Sequence, residues 1–97
     1  MGKKQDYEQK MAAQLREWQA RIDVLKAKAE KAGAEQKIAY LEQLENLRKH
    51  ERKARERLDE LRDAGEDAWE NLVDGLESAG SDLKSAFERA AGKIRNA

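Results

Sequence analysis

Few side chains in this 97-residue chain could do bond-making chemistry, so each is weighed in turn. His50 is the single histidine and there is no cysteine. A zinc site draws on several histidines or thiolates, so none is expected here. Ser78, Ser81 and Ser85 all lie far along the chain from His50, and nothing in the spacing suggests a nucleophile with its base. His50 is expected to be exposed among cations. Carboxylates are plentiful, and pairs such as Glu42/Glu45 and Glu56/Glu60 fall on one helical face. Paired catalytic acids need surroundings that drive their pKa values apart, which an extended helix does not supply. A di-iron carboxylate site would want a Glu-x-x-His pair, but Leu47 stands where the glutamate belongs. The Gly75–Gly80 stretch lacks the Lys-Ser/Thr pair of a phosphate loop. Gly75 and Gly80 are better read as points of close helix contact. No catalytic residue, metal ligand or cofactor is expected, and the chain reads as a non-enzyme.

One cluster could hold anions. Arg48, Lys49, Arg52, Lys53, Arg55 and Arg57 stand within ten residues, with only Glu51 and Glu56 among them. They could meet phosphates of nucleic acid or anionic lipid. The plainer reading is a solvated helix flank, with Glu51–Arg55 and Arg52–Glu56 paired four residues apart. No base-reading fold accompanies the run, and the chain as a whole is neutral, with 20 basic and 20 acidic residues.

The elements that would position these groups follow from composition and period. Charged residues make up 41% of the chain, aromatics 5%, and proline is absent. Ala, Glu, Lys, Arg, Leu and Gln dominate, and these are strong helix formers. From Met11 the apolar positions run Leu15, Trp18, Ile22, Leu25, Ala29 and Ala32, in alternating steps of four and three. That is a heptad stripe. It resumes at Tyr40, Leu44, Leu47, Ala54, Leu58 and Leu61, with Glu51 in one slot. Three four-residue steps through Gln36 join the halves, a phase slip that need not end a helix. Ile38 and Leu41 lie off the line.

Beyond that, Leu61, Leu72, Leu83 and Ile94 recur every eleven residues, as do Leu58, Trp69, Gly80 and Ala91, and Gly65, Leu76 and Phe87. An eleven-residue step is close to three helical turns, so this ladder also marks one face.

These patterns predict an all-α protein with two regions. Residues 1–64 form a long coiled-coil helix, about 90 Å if unbroken. Residues 65–97 form a shorter amphipathic helix, from about Glu66 to Lys93. Gly33 is a soft point in the first region; the alternative is a hairpin turn there. Gly65 is a bend or tight turn, with a left-handed glycine ending the first helix. The first 65 residues carry 16 basic and 13 acidic groups, and the rest carry 4 and 7. The opposite signs favour packing of the second region on the first, or on another chain.

Certain stretches resemble small bacterial coiled-coil proteins described as stress-response proteins of cyanobacterial type. They are Lys3 to Met11, Leu15-Arg16-Glu17-Trp18, Gly65 to Leu72 and Ala79 to Phe87. The likeness spans nearly the whole chain. It implies a cytosolic helical oligomer linked to stress, and carries no catalytic site. The eleven-residue period of the tail also resembles exchangeable apolipoproteins.

The expected product is an apolar stripe that other helices must cover. Its residues are Met11, Leu15, Trp18, Ile22, Leu25, Tyr40, Leu44, Leu47, Leu58, Leu61, Trp69, Leu72, Leu76, Leu83, Phe87 and Ile94. They are expected to form the interface of a dimer or tetramer, in a helical bundle, or with a protein partner. A peripheral lipid-surface protein is the alternative, although the tail is acidic where lipid-bound helices are commonly basic. Weak nucleic-acid binding through residues 48–57 is the second alternative. The opening residues lack the apolar run of a signal peptide, and no stretch is long and apolar enough to span a bilayer. Cytosol is the default expectation.

Overall fold

A computed structural model describes residues 2–95, apart from the Arg95 side chain. Three helices follow one another: α1 (Lys3–Lys31), α2 (Ala34–Asp63) and α3 (Glu70–Arg95). They fold up, down and up into an antiparallel three-helix bundle of 51 × 18 × 16 Å. The all-α architecture agrees with the helix-forming composition. Among the described residues no helix is long and apolar enough to cross a membrane.

The first region is two helices, not one. The break falls at Ala32 (φ −77, ψ 154) and Gly33 (φ −68, ψ 166), both extended. The reason is burial. A straight helix leaves the α1 stripe without a partner inside the chain. A reversal at Ala32–Gly33 lays Met11, Leu15, Ile22 and Ala29 in one core with Leu44, Leu47, Ala54, Leu58 and Leu61. At roughly 25 cal/mol per Å² of apolar area, such burial outweighs the few helical hydrogen bonds lost at the turn.

The second boundary lies where Gly65 suggested, but differently built. No glycine among the described residues has positive φ, so no left-handed cap ends α2. Instead the Ala64 N–H donates to the Leu61 carbonyl. The Gly65 carbonyl then accepts from Ala68 and Trp69, and this turn delays α3 to Glu70. The closed end is pinned by Lys4, whose Nζ donates to the Arg62 carbonyl at 3.1 Å and lies 3.6 Å from Glu8. A cation on the last carbonyls of α2 also suits that helix's dipole.

α2 packs closely on both neighbours, whereas α1 and α3 run parallel and meet chiefly through long side chains. The largest fully buried side chains are Ile22, Leu47, Leu61, Leu76 and Leu83, spread along the bundle. The buried positions are Trp69, in the turn just before α3, and Leu76, Ala79, Leu83, Ala86 and Ala90 within it. Trp69, Leu76, Leu83 and Ala90 are seven apart, as are Ala79 and Ala86. The core line of α3 is thus a heptad rather than the eleven-residue ladder. Among the ladder positions, Gly80, Phe87 and Ile94 are half-buried and Ala91 is exposed.

The expected interface between chains is therefore, in large part, the chain's own core. Met11, Leu15, Ile22, Leu44, Leu47, Leu58, Leu61, Trp69, Leu76 and Leu83 are buried within the bundle. Trp18, Leu25, Tyr40, Leu72 and Phe87 pack against it partly buried, and Ile94 is half-buried. Three short helices cover one another where one long helix could not.

Candidate functional site

Glu51 keeps the heptad slot between Leu47 and Ala54 and is only 6% exposed. A carboxylate in such a place needs a partner. It has one: Arg55, one turn on, donates through Nη2 to Glu51 Oε1. Arg55 is itself more than half exposed, so the pair bridges core and solvent. Gln43 is the other buried polar residue.

The basic run lies on the outward side of α2. Arg48, Lys49, Arg52, Lys53, Arg55 and Arg57 are all exposed. Arg55 is held by Glu51, and Arg57 lies 3.2 Å from Glu60. Arg48, Lys49, Arg52 and Lys53 make no ion pair among the described residues. His50, expected to be exposed, is half-buried, because it sits beside Glu51 at the edge of the core face. No group of three His, Cys, Asp or Glu side chains among the described residues could hold a metal ion.

Aromatic side chains fill the seam between α1 and α3. Tyr7 and Trp69 meet at 6.0 Å between ring centroids, tilted 38°. Trp18 stacks on Phe87 at 4.8 Å and 25°, and the Arg21 guanidinium covers the Trp18 ring at 4.8 Å. Both tryptophans thus pack between helices. A Cβ at Gly80 would sit 3.8 Å from Met11 Cε. Gly75 has open space around it, so neither glycine marks a close approach of helix backbones: Gly80 meets only the end of the Met11 side chain.

The Tyr7 hydroxyl is buried without a hydrogen-bond partner. Desolvation pushes its pKa up to about 12, and the Glu77 and Asp74 carboxylates add to the rise. Glu77 acts on it through charge, and its geometry falls short of a full hydrogen bond. The half-buried phenol is sequestered rather than poised for proton transfer.

Two surface features remain. A groove of about 490 Å³ runs along the α1–α3 seam, with Met11, Trp18 and Gly80 as its apolar part and Lys10, Glu17, Arg21, Glu77 and Lys84 among its polar lining. Its charges are mixed and it has no buried floor of convergent polar groups. Further along the seam, Val24, Leu25, Phe87, Ala91 and the Arg21 stem line an apolar hollow of about 250 Å³. The large apolar residues most open to water are Val24 (53%), Ile38 (62%) and Leu41 (52%). All three stand within nine residues of Gly33, among the exposed charges of Lys26, Lys28, Lys31, Glu35 and Lys37. In the sequence Ile38 and Leu41 showed only as positions off the stripe, and Val24 drew no notice beside Leu25.

No protein-family model, curated protein or solved structure matches the chain.

Proposed function

We propose that the chain is a non-catalytic structural or protein-interaction protein that works through the exposed apolar residues near its Gly33 turn and self-associates as a dimer or tetramer. The observation that carries this is that Val24, Ile38 and Leu41, all more than half exposed, lie within nine residues of the Gly33 turn. Large apolar side chains left open to water gain when another protein surface covers them. The likeness to bacterial stress-type coiled-coil proteins extends the proposal to a role under stress. A lipid-surface role would demand that α3 leave the bundle, because Leu76 and Leu83 are fully buried. Nucleic-acid binding would rest on four unpaired cations of α2 in a chain of zero formal charge.

Sedimentation over a concentration series tests the reading. The triple variant Val24→Gln, Ile38→Gln, Leu41→Gln should keep its helicity and assemble at least tenfold more weakly. Unchanged assembly would remove these three residues from the account.

A further inference from the structure

We propose that Ala32–Gly33 is a hinge through which two copies of the chain exchange α1, each α1 docking on the α2–α3 pair of the other. This rests on the self-association proposed above and gives a route to its dimer; the exposed Val24, Ile38 and Leu41 stay outside the exchanged core and are left to join further copies.

The hinge has little of its own to hold it bent. Only two residues separate α1 from α2, and both are in extended conformations open to any residue type. No side chain caps the start of α2, and nothing lies within 4 Å of where a Gly33 Cβ would stand. The flanking run, Ala29-Glu30-Lys31-Ala32-Gly33-Ala34-Glu35-Gln36, consists of helix formers around one glycine. Local preference therefore favours straightening, and packing alone holds the bend. Short connections of this kind invite exchange of an element between protomers.

The two stripes are also in phase for it. At 100° per residue, the midlines of the α1 and α2 core faces fall within roughly 20° of each other on a straight helix. The opened chain thus carries one continuous apolar face, about 90 Å long. Two such helices, antiparallel and crossing at their Gly33 residues, rebuild the closed bundle's core contacts twice. No new complementarity is needed, because the seat for α1 already exists in every copy. On the straight helix Val24, Ile38 and Leu41 gather on the side opposite that face, within an arc of roughly 100°. Residues scattered around one end of the closed form become one patch in the open form.

Two substitutions at one residue push the equilibrium in opposite directions. Proline suits the bent hinge: the Gly33 φ of −68 matches its ring, and the Ala32 ψ of 154 suits a residue before proline. Gly33 also donates no backbone hydrogen bond in the turn. In the straight helix the same proline is disfavoured against glycine by roughly thirtyfold per hinge. Gly33→Ala favours the straight form by up to roughly fivefold per hinge, so up to about thirtyfold for the two hinges of a dimer.

Gly2 and Glu66 provide the readout, since a Gly2 Cβ would lie 3.7 Å from Glu66 Oε2. The chain has no cysteine, so Gly2→Cys with Glu66→Cys gives a unique pair for a short thiol-reactive crosslinker. The full chain is refolded at low and at high concentration and run on denaturing gels. Exchange predicts crosslinks between chains that grow with concentration, grow further with Gly33→Ala and vanish with Gly33→Pro. Dimeric mass in solution with crosslinks only inside each chain would overturn exchange while leaving association through the exposed apolar residues standing. A monomer at every concentration, even with Gly33→Ala, would overturn both.

Discussion

Replacing Glu51 by leucine should stabilise the bundle. The slot lies in the core stripe of α2, flanked by Leu47 (0% exposed) and Ala54 (1%). A leucine buried there contributes about 1.5–3 kcal/mol from its apolar area. What is given up is the bond to Arg55, whose side chain is 56% exposed. Desolvation of the buried Glu51 carboxylate offsets most of the pair's attraction, leaving about 1 kcal/mol or less. The net gain is then about 1–2 kcal/mol, and at about 4–8 °C per kcal/mol for a domain of this size the melting temperature should rise by about 5–15 °C. Thermal melts with urea titrations measure it, and an unchanged urea slope shows that the native state is as compact as before. Arg55→Ala provides the converse. It strands a carboxylate that is 6% exposed, and should cost about 1–3 kcal/mol. In the double variant that cost should disappear, because the stranded charge is gone. If Glu51→Leu destabilises by more than about 1 kcal/mol, the slot does not accept an apolar side chain and the heptad account of α2 fails at its centre.

Two further outcomes follow from the α1–α3 seam. The Tyr7 phenol is neutral in the fold up to a pKa of about 12, while an unfolded tyrosine ionises near 10, so stability should be full below pH 10 and fall as pH rises towards 12. Tyr7→Phe should remove that alkaline loss and cost little at neutral pH, because the hydroxyl has no partner to lose; a spectroscopic titration showing both tyrosines ionising near 10 would contradict it. At Gly80, alanine makes ordinary contact with Met11 and should stabilise α3 by about 0.5–1 kcal/mol, whereas leucine should wedge α1 from α3 and cost about 1–3 kcal/mol. Equal melting temperatures for the two would show that the seam is looser than its geometry.

Much of α1 and α2 was legible because large apolar residues spelled the period. Met11, Leu15, Ile22, Leu44, Leu47, Leu58 and Leu61 are buried where the heptad put them, and Glu51 occupies its slot. α3 was harder because half its core line is alanine. Ala79, Ala86 and Ala90 are almost wholly buried, yet a methyl group stands out little from a polar neighbour when a sequence is scanned. The heptad and the eleven-residue ladder share Trp69, Leu72, Leu76 and Leu83, and part company only where alanine meets glycine and phenylalanine. The structure gives both lines a meaning. The alanine line is the buried one and lets neighbouring helices come close, while Gly80, Phe87 and Ala91 turn towards Met11, Trp18 and Leu25 on α1. The unpartnered Tyr7 hydroxyl had no sequence signal, since it depends on carboxylates seventy residues away.

The bend at Gly33 showed in the sequence only as the less favoured of two readings, for a different reason, and that reason bears on how the chain behaves. Residues 29–36 prefer helix, so the bend comes from contacts made by residues as far off as Met11 and Leu61. Closed and exchanged forms share those contacts, and their difference reduces to the hinge and to the entropy of joining two chains. A tethered α1 sees its own seat at an effective concentration of order millimolar or more, which protects the monomer in dilute solution. Anything that makes the hinge more helical lowers the concentration at which exchange overtakes closure. With a thirtyfold effect from one methyl group at Gly33, a threshold of order millimolar would fall to tens of micromolar. On the exchange proposed above, a single exposed position with no contacts of its own is thus where sequence change alters assembly without disturbing the core.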